Sequence, residues 1–226
     1  TLSLDSSRPF ALATGTSSSV SVASGKTLTV AGVISGSGNL AKTGAGEAVL
    51  TATNTFTGSL TVSAGTLTVG AGSTAGSLAT STIVSNATLA FNRSDTVTLS
   101  TAVSGSGGVK QSGSGTLVMS GNNTYTGTTQ VSAGTMQLGA ADRIANTSAL
   151  VVDSGATFDA NSYSDTVGSV AGAGAVTLGS ATLTAGGDGT STIFSGTMTG
   201  TGGLTKAGAG TLTISGSPAF TGSTTI

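Results

Sequence analysis

One quartet recurs along this chain: a Thr, an apolar residue, any residue, and a second apolar residue, mostly after Gly or Ala. It reads Thr27-Leu28-Thr29-Val30, Thr66-Leu67-Thr68-Val69, Thr88-Leu89-Ala90-Phe91, Thr116-Leu117-Val118-Met119, Thr135-Met136-Gln137-Leu138 and Thr211-Leu212-Thr213-Ile214. Alternation of this kind puts Leu28 and Val30, or Leu67 and Val69, on one face of a strand and Thr on the other. Weaker versions sit at Thr157-Phe158 and Thr182-Leu183, and Glu47-Ala48-Val49-Leu50 is another. Counting from Thr1-Leu2-Ser3-Leu4, ten strands start at 1, 27, 47, 66, 88, 116, 135, 157, 182 and 211. If each coil of a parallel β-helix contributes one of them, the spacing suits about three short strands and their turns per coil. The pattern therefore predicts an all-β solenoid of about ten coils, a column on the order of 50 Å long at ~4.8 Å per coil.

A longer repeat overlies the quartet. Residues 36–70 match 105–139 without a gap at an offset of 69, and 200–226 follow the second copy at an offset of 95. Self-similarity on this scale marks a solenoid whose units bury their apolar faces against their neighbours. Each copy carries a Gly pair, Gly44 and Gly46, Gly113 and Gly115, Gly208 and Gly210. Further on come Asn54, Phe56 and Gly58, answered by Asn123, Tyr125 and Gly127, then by Phe220 and Gly222 with Pro218 in place of the Asn. Stacked Asn side chains bonding along the column and an aromatic filling the coil interior are the expected roles. An aromatic sugar platform is the sharper alternative. Apolar-x-Gly-x-Gly-x-apolar segments, as from Ile34 to Leu40 and from Val103 to Val109, are read as corners, because Gly takes positive φ without steric cost. A phosphate loop would need a following helix, and strand-like residues follow instead.

The run Gly-x-Gly-Gly-Leu-x-Lys-x-Gly-x-Gly-Thr-Leu-x-Ile-Ser-Gly from Gly200 to Gly216 resembles the autotransporter-associated β-strand repeat, and so does the run from Asn123 to Gly139. The resemblance implies a right-handed parallel β-helix, the passenger region of a type V secreted protein exported through an outer-membrane barrel. It also implies display at the surface of a Gram-negative bacterium, anchored through a part outside this sequence. Thr1 and Ile226 both read as the middle of a repeat. Residues 1–226 are thus expected to be one continuous segment of a longer repetitive protein, or a module that follows itself head to tail.

Composition narrows the chemistry. Charged residues make up 7% and aromatics 4% of the 226 residues, the net charge is −1, and His, Cys and Trp are absent. Such a mix would suit a disordered linker were the aliphatics not placed so regularly. Helix formers are scarce, so almost no helix is expected, and no apolar run approaches the roughly 18 residues of a membrane helix. Singly scattered Lys and Arg give no stripe for nucleic acid. Without Cys there are no disulfides or thiolate metal sites.

Without His or Cys, triads and zinc sites are excluded, and a Ser or Thr lacking a base is no nucleophile. No catalytic residue and no cofactor are expected. Asp153, Asp159 and Asp165, six apart with Asp142 before them, are the weak Ca²⁺ candidates and the carboxylates of an enzyme alternative. Gly186-Gly187-Asp188-Gly189 is similar to a calcium nonapeptide, but Ser191 stands where that motif needs Asp. Lys42 and Lys206 share a repeat position with Gln111 and are read as solvated charges that discourage sideways pairing. The reading is a non-enzymatic extracellular stalk, fibre or adhesin segment. Its expected partners are other copies of itself, a polysaccharide, or a host or neighbouring cell surface. A carbohydrate-active β-helix enzyme and a polysaccharide-binding module are the alternatives.

Overall fold

The computed structural model describes residues 2–226, and its backbone winds through eleven coils of short parallel strands with no helix among the described residues. Thr1, where the first expected strand begins, lies outside the described residues, and that strand is Leu2–Leu4. Eleven strands make one unbroken sheet, the first face, from Leu2–Leu4 to Leu212–Ile214. Inward positions on this face stack rung over rung: Leu28 on Ala48, Leu67, Leu89, Val109, Thr129, Leu150 and Val170. Each strand between the first and the last satisfies its backbone against the coils below and above, and the aliphatic ladder is removed from water at about 25 cal/mol per Å² of apolar surface.

The second face begins with the pair Phe10–Leu12 and Ile34–Gly36 and resumes as seven strands from Thr96–Leu99 to Ser217–Phe220. The third face has five strands, Ser17–Ser21 to Val103–Ser104, and later four, Asp165–Val167 to Thr224–Thr225. At the corners Gly36 and Gly105 take φ of 96° and 104°, as the Gly-x-Gly segments predict. A Cβ on Gly36 would also lie 2.2 Å from the Leu12 carbonyl oxygen of the coil below.

The quartets fall one to a coil, as the spacing suggested, but they do not share a face. Those starting at 27, 66 and 88 lie on the first face, but Thr116–Met119, Thr135–Leu138 and Thr157–Asp159 lie on the second, and Leu183–Ala185 on the third. Ten quartets serve eleven coils because the coil of Thr192–Phe194 carries none. Behind the change of face is a rotation of the repeat itself. Leu40 and Leu60 of the first copy are on the third face, while their counterparts Val109 and Thr129 are on the first. Leu204 of the last copy returns to the third face. All three faces are physically alike, short strands with alternate residues inward and a partner about one coil away. A repeat unit therefore needs stacking neighbours at that spacing and no particular face.

Candidate functional site

The repeat residues are spent on the interior. Asn54 is buried; its Oδ1 accepts the Ile34 N–H at 2.9 Å, and its Nδ2 donates to the Ala52 and Ser77 carbonyls at 3.0 Å each. Asn123 repeats the device, accepting from Val103 N at 2.9 Å and donating to the Arg143 carbonyl at 2.7 Å. The carboxamides do not stack on one another. Each instead links the backbones of the coils below and above at a place where the strand ladder is interrupted. Where Pro218 replaces the Asn, the segment is an ordinary strand, Ser217–Phe220.

Phe56 and Tyr125 are fully buried, as interior packing requires, and Phe220 is half-buried. The Tyr125 hydroxyl meets Thr129 Oγ1 at 2.6 Å, and Thr129 meets Ser148 Oγ at 2.8 Å. Burial pushes the Tyr125 phenol well above the usual tyrosine range. No sugar platform forms from rings that face the core.

Lys42 is not a solvated charge. It is 1% exposed, and its ammonium donates to the carbonyls of Thr43, Gly44 and Ala64 at 3.0, 2.8 and 3.0 Å. Burial pulls it below the ordinary lysine range. Gln111 does the same with an amide, donating to Gly113 and Gly115 carbonyls at 2.9 and 3.0 Å, and Lys206 donates to the carbonyls of Ala207 and Gly208. The repeat position calls for a long donor that closes a Gly turn, from inside in Lys42 and Gln111 and from a half-buried place in Lys206.

The three carboxylates six apart are not brought together. Asp153 follows the first-face strand Ala149–Val152, Asp159 ends a second-face strand, and Asp165 opens a third-face strand. Asp153 accepts from Gln130 Nε2 and Ser132 Oγ at 3.0 and 2.8 Å, and Asp159 from Gln137 Nε2 and its own turn at Asn161 N, both at 2.8 Å. Asp165 is 2% exposed, with Oδ2 accepting Arg143 N and Ile144 N at 2.8 and 3.1 Å. Burial, reinforced by the charge of Asp142, raises it to about 6 against the opposing pull of those two N–H groups. Among the described residues no three acidic groups form a cluster able to hold a metal ion. Asp188 accepts Thr190 N and Thr190 Oγ1 at 2.9 and 2.7 Å, which closes a tight local turn.

What faces solvent is a hollow of about 450 Å³ on the outer side of the first face, lined by Glu47, Thr66, Thr68, Thr88, Asn92, Lys110, Ser112 and Gln130. The register stacks Glu47, Thr66 and Thr88 in one row and Thr68, Ala90, Lys110 and Gln130 in the next. Glu47 is engaged by Thr68 Oγ1 at 2.6 Å, and the nearby cation Arg93 is held by Asp95 at 2.6 and 2.8 Å. The Lys110 ammonium and the Asn92 carboxamide have no hydrogen-bond partner among the described residues. A second hollow of about 320 Å³ at the adjoining corner shares Thr88, Lys110 and Gln130. Sequence reasoning missed these residues. Their signal was a stacking interval of about one coil, hidden because the quartets change face.

Comparison with known proteins finds likenesses in the repeated stretches. The passenger-associated-transport-repeat family matches residues 40–69, 109–138 and 204–226. A curated relative, the adhesin BmaC autotransporter of Brucella suis biovar 1 (strain 1330), is 38% identical over 97 residues, 42% of this chain. The chain matches 3% of the length of that relative. No solved structure matches.

Proposed function

We propose that this run of passenger-associated transport repeats, a passenger segment of a type V secreted protein displayed at a Gram-negative cell surface, works as a stiff, non-catalytic adhesin stalk. The supporting observation is the unbroken first face: eleven coils share one parallel sheet over one aliphatic interior. Repeat positions are consumed by packing and turn closure, and the carboxylates of the enzyme alternative lie on three different faces, with Asp165 buried. A column of this kind holds whatever lies beyond it at a fixed distance from the membrane, about 4.8 Å per coil. Deleting residues 109–128, one coil, from the displayed parent protein tests the reading. Adhesion to cells or surfaces should survive with the projection shortened by one coil. Complete loss of adhesion would place a receptor site in the deleted coil and reject the stalk.

A second reading, glycan binding, is favoured by the unpartnered Lys110 and Asn92 in the first-face hollow. An ammonium beside a carboxamide and a bank of hydroxyls suits a sugar bearing a carboxylate. Titration with trigalacturonate, followed by NMR, should perturb Lys110 and Asn92 and lose the effect in Lys110→Gln. Equal response to neutral maltotriose, or none to either sugar, rejects it.

A further inference from the structure

Asp165 occupies an Asn position. In the two Asn clamps, Oδ1 accepts a backbone N–H from the coil below, and Nδ2 donates to a backbone carbonyl of the coil above. The Arg143 carbonyl takes the Nδ2 donor of Asn123 from below, and the Arg143 N–H is taken by Asp165 Oδ2 from above. The two side chains thus grip one peptide segment from opposite sides. Asn54 also sends its own backbone N–H to the carbonyl that its Nδ2 engages, that of Ser77. Asp165 sends its backbone N–H to the Thr182 carbonyl in the same manner. The missing half of the clamp is the second side-chain atom. Asp165 Oδ1 is buried with no hydrogen-bond partner, where an Asn would present an N–H donor.

We infer that Asp165 is a proton-gated version of the Asn clamp: protonated, its Oδ1–H donates to the Thr182 carbonyl and ties three coils together, and ionised, that tie is absent. The group gains only a proton from solvent, and no other bond changes. The surroundings favour the neutral form. Asp142 faces it from the coil below with a like charge, and the buried Tyr125 phenol two coils down, itself held neutral, offers no positive charge to offset it. The Arg143 guanidinium is directed instead toward Asn122, with its Nε buried and unpartnered. In the coil above, the strand Leu183–Ala185 carries no charged side chain. The same corner, in adjacent coils, holds all three non-glycine residues of positive φ among the described residues, Asp142, Asn161 and Ser162, at 54°, 50° and 65°. Backbone held in that region persists only when the surroundings fix it, so loosening the clamp has local strain to release.

The sign follows from the raised acid. Its contribution is fully present below the ordinary carboxyl value of 3.8 and is lost as pH rises through about 6. Amide exchange in the intact chain, corrected for the intrinsic pH dependence, reads this directly. Protection of the Arg143 and Ile144 amides should rise on the order of thirtyfold from pH 8 to pH 4.5, while that of Ile34 under the Asn54 clamp stays level. Asp165→Asn should be protected at both pH values. Asn123→Asp should create the same acid-dependent protection at Val103. A flat wild-type profile, a wild-type pH response retained in Asp165→Asn, or an Asn123→Asp indifferent to pH would each overturn the inference. Should Asp165→Asn not fold, the wild-type profile and the Asn123→Asp variant still decide it.

Discussion

Asn123 Oδ1 accepts the Val103 N–H at 2.9 Å, twenty residues earlier in the chain and one coil down. Because the same carboxamide serves the Arg143 carbonyl above, it stands in for two rungs of the β-ladder that the local backbone does not make. The Asn is thus a substitute for sheet at a corner, and its loss is felt in two coils.

Asn123→Ala should leave that buried N–H and that carbonyl unpaired. At about 1–3 kcal/mol for each unsatisfied group, the expected loss is about 2–5 kcal/mol. Thermal unfolding followed by circular dichroism measures it.

Lys42 separates charge from hydrogen bonding. Lys42→Gln should cost less than about 1 kcal/mol, because Gln111 already closes the corresponding turn of the second copy with an amide. Lys42→Met keeps the length but leaves the Thr43, Gly44 and Ala64 carbonyls short of a donor, and should cost about 2–3 kcal/mol. Equal stability of the two variants in urea would count against the interior role.

Two glycines differ only in what surrounds them. A Cβ on Gly196 would sit 1.8 Å from the Gly174 carbonyl oxygen one coil below, whereas on Gly187 it meets nothing within 4 Å. Gly196→Ala must push coils apart, an overpacking cost of about 1–3 kcal/mol or more. Gly187→Ala should stay within about 0.5 kcal/mol of the parent.

Tyr125 and Thr129 form a hydroxyl pair where the first copy has Phe56 and Leu60. Tyr125→Phe and Thr129→Leu should each destabilise by about 1–2 kcal/mol, since each leaves a buried hydroxyl without that partner. The double variant restores the hydrocarbon pairing of the first copy. A double-mutant cycle should therefore show a favourable coupling of about 1 kcal/mol, and strict additivity would mean that the pair does not act as a unit.

The sequence by itself determined that strands such as Thr27–Val30 and Thr116–Met119 exist, which of their residues point inward, and that they stack in parallel with Gly at the corners. Period-two alternation, turn chemistry and the repeat are local signals, and they survive whatever the coils do next. Only the tertiary structure decided on which face each strand lies. The alternation of Leu117 and Met119 is identical to that of Leu67 and Val69, although one pair lines the second face and the other the first. The same indifference concealed the hollow around Lys110, whose walls come from five coils. It also concealed Lys42, whose charge suggested solvent until the Gly turn folded its carbonyls around the ammonium. Burial of a polar side chain depends on partners supplied by neighbouring coils, and no single stretch of chain contains them.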